Sequence, residues 1–205
     1  MGRSAQDDSG RSAQDDSGVH HPRRGMTVIE LITVLVIVGT MMAIVLPRFK
    51  MSPRQSTQTQ AFQIAQDLEL VRTRALSTRS RARICFQDLS NRGWGSFLDH
   101  NRDGIIVENG TERTAAAAFG HRDLPAGVKY GRGTAPPAPN DTFGGSTISF
   151  VNHWVEFDAR GLLVETGQTA TIYLQNEQDP SAVNAVQMSP AGNVRIWTYL
   201  NSQWQ

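Results

Sequence analysis

The sequence predicts an α+β protein: a long N-terminal helix, its first half membrane-spanning, packed on a C-terminal antiparallel β domain built most simply from two sheets. Three observations predict it. Residues Met26–Leu46 form an apolar run with one charge, Glu30. From Ser56 to about Ser80 the apolar residues Ala61, Ile64, Ala65, Leu68, Val71 and Ala75 recur at three- and four-residue steps, the spacing of one helix face. From Arg81 the spacing falls to two, and short apolar segments alternate with turn signals to the end of the chain.

The chain has 205 residues, enough for one domain with appendages. Lys and Arg total 20 against 19 Asp and Glu, a net charge of +1 that excludes a general nucleic-acid coat. A single cysteine, Cys85, excludes an internal disulfide framework and any multi-cysteine metal site.

The first element is a polar tail. Residues 3–10 and 11–18 both read RSAQDDSG, a duplication with no apolar periodicity, which marks a segment unable to bury a core. His20, His21, Pro22, Arg23, Arg24 and Gly25 follow. The apolar run 26–46 would be roughly 31 Å long as a helix, which matches a bilayer core of about 30 Å. It is apolar all round apart from Glu30, whereas a soluble helix of this length keeps a polar face. No small-residue cleavage site follows it, so a secretory signal peptide fits poorly. Basic residues flank both ends (Arg23 and Arg24; Arg48, Lys50 and Arg54), so charge alone does not orient the span.

Pro47 is expected to bend the helix, and Pro53 to loosen it further. The amphipathic half then runs to residue 80. Beyond it, Ala82, Ile84 and Phe86 alternate with Arg81, Arg83 and Cys85, the pattern of a half-buried strand. Further strands are expected at Gly95–Asp99, Ile105–Val107, Val128–Tyr130, Thr147–Val151, Trp154–Phe157, Leu162–Glu165, Ala170–Leu174, Ala185–Met188 and Val194–Leu200. Asp103-Gly104, Asn109-Gly110, Arg160-Gly161, Asp179-Pro180 and Ala191-Gly192 are the intervening turn signals. Residues 131–145 form a Pro/Gly-rich loop. Charge is divided too: residues 47–83 hold eight basic and two acidic groups, and 84–205 hold eight basic and twelve acidic. Complementarity between helix and sheets accounts for this; attraction to a partner or to anionic headgroups is the other reading.

The stretch Arg23-Arg24-Gly25-Met26-Thr27-Val28-Ile29-Glu30-Leu31 resembles the processing signal of prepilins and pseudopilins. In that family a basic leader ends in Gly, cleavage precedes a hydrophobic residue, Glu is the fifth mature residue, and a helix-bending proline stands near the twenty-second. Met26, Glu30 and Pro47 occupy those positions; the family more often begins with Phe than Met, and this leader is longer than usual. The rest of the chain resembles the GspH, FimT and FimU type of minor pilins and pseudopilins. Phe157-Asp-Ala-Arg-Gly161, Ile172-Tyr-Leu174 and Val186-Gln-Met188-Ser189-Pro-Ala-Gly192-Asn-Val194-Arg195 carry that likeness.

The resemblance implies four parts: a cleaved leader 1–25, a transmembrane and assembly helix 26–46, its amphipathic continuation 47–80, and a periplasmic β-rich domain 81–205. It implies cleavage after Gly25 and methylation of the Met26 amine by a prepilin peptidase, insertion in the bacterial inner membrane as a single span, and incorporation in a type IV pilus or a type II secretion pseudopilus. Partners would be other major and minor pilins or pseudopilins. A carboxylate within hydrocarbon costs about 2.5–3.5 kcal/mol, so Glu30 would favour assembly if it meets the free amine of a neighbouring subunit.

Two sites bear on other functions. Asp99-His-Asn101-Arg-Asp103-Gly104 matches the opening of a calcium loop, D-x-N-x-D-G. Its twelfth position is Gly110 rather than Glu, Glu108 and Glu112 are out of register, and a plain turn suits the same residues. Gly192-Asn193-Val194-Arg195 resembles a G-R-x-R ending linked with DNA binding in minor pilins used for DNA uptake, with Asn193 in place of the first Arg. Arg195 is thus a candidate DNA contact, with Trp197, Tyr199 and Trp204 as stacking platforms or as packed strand residues. His100, His121 and His153 lack metal-ligand spacing, and no nucleophile motif or phosphate loop is present, so no enzyme is expected. A DNA- or Ca²⁺-binding tip module is the alternative to a purely structural subunit, and a membrane-anchored periplasmic enzyme the more distant one.

Overall fold

The computed structural model describes residues 25–45, 52–88, 90–108, 112–113, 118–145, 147–164 and 169–205. The leader before Gly25 and the expected bend at Pro47 lie outside the described residues. The chain divides into two compact units, residues 1–50 and 51–205.

The first unit contributes α1, Val28–Val45. Thr27 starts it: its hydroxyl accepts from the Glu30 backbone N–H at 3.3 Å, and its carbonyl accepts from Leu31 N–H at 3.1 Å. At 18 residues the helix is about 27 Å long. Among the described residues no helix is long and apolar enough to cross a membrane. The last residue of the expected span, Leu46, lies outside them.

The second unit begins with α2, Pro53–Thr78. Pro53 does not loosen a continuing helix. It occupies the first helical position, where a missing N–H costs nothing, and the Ser52 hydroxyl caps it by accepting from Gln55 N–H at 3.2 Å. Arg79 ends the helix in the left-handed conformation. Thr57, Ala61, Ile64, Asp67, Leu68, Val71 and Ala75 are its buried face.

Among the described residues ten strands follow: β1 (Ala82–Phe86), β2 (Gly93–Leu98), β3 (His121–Asp123), β4 (Val128–Tyr130), β5 (Ile148–Ser149), β6 (Trp154–Phe157), β7 (Ala170–Asn176), β8 (Val183–Met188), β9 (Val194–Leu200) and β10 (Gln203–Trp204). They form two antiparallel sheets. One has the order β3-β2-β1-β6; the other runs β10-β9-β8-β7, with β4 and β5 both paired to β7. The main core lies between α2 and both sheets. Ile64, Leu68 and Val71 of α2 belong to the same cluster as Ile84, Phe86 and Trp94 of the first sheet and Ile172, Leu174, Val186 and Met188 of the second.

Both sheets also bury their other faces. Cys85, Phe97 and Ile106 cluster with Trp154, and Tyr173, Ala185 and Ala138 with Trp197 and Trp204. This changes three expectations. Residues 105–107 are not a strand: Ile106 is buried beside Cys85 while Ile105 and Val107 stay exposed, so their apolar character serves a cover rather than a ladder. β1 is not half-buried by alternation, because Cys85 is inside on the second face. Of the expected strand Leu162–Glu165, Leu163 makes an isolated bridge to Phe157, and Glu165 lies outside the described residues. The Pro/Gly-rich loop covers the second sheet: Tyr173 Oη donates to Asp141 at 2.6 Å, and Gln187 Nε2 donates to the Pro139 carbonyl at 2.6 Å.

Candidate functional site

The residues Thr27-Val28-Ile29-Glu30 have the sequence of a capping box, with Thr at the cap and Glu three residues on. The Thr27 hydroxyl makes its half of that motif. Glu30 therefore stands in the first turn of α1, where the helix dipole favours negative charge. Gly25 and Met26 lie just before the helix, exposed and outside regular structure, with nothing near the position a Gly25 side chain would take. Every described side chain from Met26 to Ile44 is exposed, although nearly all are apolar. Thr33 and Thr40 donate to the carbonyls of Ile29 and Ile37, so their hydroxyls are satisfied within the helix.

In the second unit the Asp99–Gly104 loop closes on itself. Asp99 Oδ2 accepts from Gly104 N–H at 2.9 Å; Asn101 Nδ2 donates to Asp103 Oδ2 at 2.8 Å; and Asp103 Oδ1 accepts from Ile105 N–H at 2.8 Å. Glu108 faces elsewhere, toward Arg83 and the Cys85 thiol. Glu112 accepts from Val107 N–H. Gly110 lies outside the described residues. Among the described residues no three His, Cys, Asp or Glu side chains come together to hold a metal.

Arg195 is exposed on β9, its guanidinium 4.7 Å from the centre of the Trp197 ring. It lines an open groove of about 710 Å³ between α2 and β9, with Gln58, Phe62, Gln66 and Glu69 on the helix side. Trp197 Nε1 donates to Gln187 and Trp204 Nε1 to the Pro136 carbonyl. Trp204 also packs on Tyr199 and Tyr173. These rings are structural members of the sheet face.

Sequence reading passed over the polar pins of this unit. Asp67, on the buried face of α2, accepts from Trp94 Nε1 at 2.9 Å, Gln63 Nε2 at 3.1 Å and Arg122 Nε at 3.2 Å, and so ties the helix to β2 and β3. Burial raises its pKa, and the Trp94, Arg122 and Gln63 interactions oppose that rise. Asp88 is bound by Arg113 in a bidentate pair and faces His121 Nδ1 at 3.4 Å. Burial would raise its pKa too, but the Arg113 and His121 interactions together hold it below the ordinary value. Glu156 takes Arg83 at 2.7 Å and Arg81 at 3.2 Å. Burial pushes the Cys85 thiol well up, and Glu108 pushes it further, so this cysteine is neither a ready nucleophile nor placed for an intermolecular disulfide.

A family model described as type II transport protein GspH matches residues 60–192. The chain belongs to this GspH family.

The matched region runs from within α2 to the turn before β9, so Gly25, Met26, Glu30 and Arg195 lie outside it. Among solved structures, the type IV minor pilin FimU of Pseudomonas aeruginosa is similar at 16% identity and a TM-score of 0.49, over 74% of this chain and 94% of that one. The minor pseudopilin EpsH of the Vibrio cholerae type II secretion system is similar at 14% identity and a TM-score of 0.45, over 70% of this chain and 97% of that one. A comparison with curated proteins gave no match. The glycines of the GspH-like stretch have a clear task here. Gly161 and Gly192 adopt φ of +72° and +80°, and a side chain on Gly192 would strike the Gly161 carbonyl. Arg72 of α2 binds both turns, donating to Gly161 O at 3.1 Å and Ala191 O at 3.3 Å.

Proposed function

We propose that the protein is a minor subunit, structural rather than catalytic, of a type IV pilus or a type II secretion pseudopilus. Prepilin peptidase cuts after Gly25 and methylates the Met26 amine. The apolar segment 26–46 holds the subunit in the inner membrane with the second unit in the periplasm. The same helix then carries it into the filament, where other pilins or pseudopilins are its neighbours.

The observation that supports this reading most directly is α1. It is a helix whose described side chains are exposed and, apart from Glu30, Thr33 and Thr40, apolar, with Glu30 as its one charge. A surface of that kind needs lipid or another apolar surface over it. The GspH family membership agrees. Glu30 is tolerable in lipid only at a cost of about 2.5–3.5 kcal/mol. Pairing with a neighbour's amine offsets that cost in the filament. The sheet unit, held by its own core, then supplies contacts specific to its neighbours.

The test is affinity isolation of the tagged protein from its own host membranes, with mass spectrometry of the N-terminal peptide and of everything recovered. A methylated peptide beginning at Met26, together with pilins or pseudopilins, is the expected result. An intact leader and no filament partner would overturn the reading.

A further inference from the structure

We propose that the loop Asp99–Ile105 is a divalent-cation site that takes Ca²⁺. Asp99 is 3% exposed, yet its Oδ1 has no hydrogen-bond partner. The carboxylate is fixed in place: Asp99 N–H donates to Arg81 O at 3.0 Å, Ser80 Oγ donates to Asp99 O, and Oδ2 accepts from Gly104 N–H at 2.9 Å. That last bond engages one carboxylate oxygen across the turn and leaves the other, the buried Oδ1, free. A buried carboxylate oxygen without a protein donor is costly unless something else satisfies it. A cation would supply what it lacks.

The rest of the loop provides oxygens at the matching spacing. Counting Asp99 as the first position, Asn101 and Asp103 are the third and fifth, Gly104 the sixth, and the Ile105 carbonyl the seventh, the order used by calcium loops. Gly104 has φ of +82°, the sharp turn that position requires. Asn101 and Asp103 are exposed and bonded to each other, and Asn101 Oδ1 and Asp103 Oδ1 accept from the N–H groups of Asp103 and Ile105, so turning these oxygens inward exchanges solvent-facing bonds within the loop for the cation. The donors are all hard oxygens, which suit Ca²⁺ or Mg²⁺ rather than zinc or copper. An irregular set of few protein oxygens suits Ca²⁺, since Mg²⁺ demands near-ideal octahedral geometry.

The electrostatic surroundings permit this. Arg81 donates to Gly104 O at 3.0 Å, but its charge is matched by the buried Glu156 at 3.2 Å, and Arg102, within the loop, donates to the Thr78 carbonyl at 3.2 Å. Glu108 and Glu112 are engaged elsewhere. With two carboxylates and no twelfth-position acid, water completes the shell. The affinity then belongs to the weak class of about 10⁻⁴–10⁻³ M found in extracellular modules. That range is useful outside the cytoplasm, a placement that rests on the proposed function; the binding itself does not depend on it.

The experiment is thermal melting of the full-length protein in detergent, stripped with chelator, against CaCl₂ alone, with MgCl₂ and NaCl at matched ionic strength. The expected result is a saturable rise of about 3 °C at tenfold over half-saturation by Ca²⁺, absent in Asp103→Ala, whose side chain is exposed and leaves the fold intact. Asp99→Asn should lose the response as well and is read beside that variant because it is buried. No shift in the wild type, or an equal shift in Asp103→Ala, would overturn the proposal. Filament assembly unaffected by loss of the site would leave the binding proposal standing.

Discussion

Asp67 shows how a single acid is made to serve an apolar face. Its neighbours on α2 are Ile64, Leu68 and Val71, and its carboxylate is held by Trp94, Gln63 and Arg122. Removing it strands the indole N–H of Trp94, itself 1% exposed. Asp67→Ala should therefore lower the unfolding free energy by about 2–3 kcal/mol, the penalty of an orphaned buried donor with the lost bonds added. Asp67→Asn keeps an acceptor for Trp94 and should cost less. The two buried acids then predict opposite pH behaviour. Asp67 has a raised folded pKa, so its native state takes a proton before the unfolded chain does. Its share of stability rises as pH falls from that raised value toward the ordinary 3.8. Asp88 has a lowered folded pKa, so its share is complete above 3.8 and is lost as pH falls through the lowered value. Denaturant titrations from pH 3 to pH 7 should show the penalty of Asp88→Asn shrinking in acid and that of Asp67→Asn growing. Parallel curves for both variants would refute the assignment.

α2 and the turns beside it show what an element owes to its ends. Ser52 caps the helix and Pro53 begins it, so Ser52→Ala should cost about 1 kcal/mol, read by denaturation. At the far side, Arg72 fastens the Gly161 and Gly192 turns. A methyl at Gly192 meets the Gly161 carbonyl 2.7 Å away and Arg72 Nε at 2.9 Å, in a left-handed backbone that already costs a non-glycine residue about 1–2 kcal/mol. Gly192→Ala and Arg72→Ala should both destabilise. Their double variant should fall short of the sum, because the first displaces the contact that the second deletes. Strong periodicity made the central elements legible: β6 and β9 have the bounds expected of them, and the α2 face was read residue by residue apart from Thr57 and Asp67, which it lacked, and Ala65, which is only half-buried. The misses have physical causes. β3 and β10 have three and two residues, too few to show a period. Ile105–Val107 alternates as a strand does, yet it covers the face that Cys85 and Phe97 present. Asp67 reads as solvent-facing because its partners Trp94 and Arg122 are remote in sequence. The Asp99 loop was visible as a motif, whereas the orphaned Oδ1 that gives it meaning is a property of packing.

At the scale of the whole molecule, the two units divide the labour: one is stabilised by its own core, the other leaves its apolar side chains for a different surface to cover. Glu30, in the first unit, has two tasks, and they are separable. As the third residue of a helix capped by Thr27, it can act by capping, a role glutamine fills equally well. As the counter-charge to a neighbour's N-terminal amine, it needs its negative charge, and glutamine cannot replace it. Both variants should still be cut, since the Gly25–Met26 bond is exposed and precedes the helix. Glu30→Gln is therefore the decisive substitution. Quantified by immunoblot of sheared or detergent-extracted filaments, it should be processed normally and yet incorporate as poorly as Glu30→Ala. The helix-centre cost of about 2.5–3.5 kcal/mol for an unpaired carboxylate, an upper bound for a first-turn residue, is a factor of roughly 70–400 in an equilibrium, so loss of the charge removes a bias toward assembly of at most that size. Wild-type incorporation of Glu30→Gln would assign Glu30 to capping alone and leave the exposed apolar surface of α1 as the sole force for assembly.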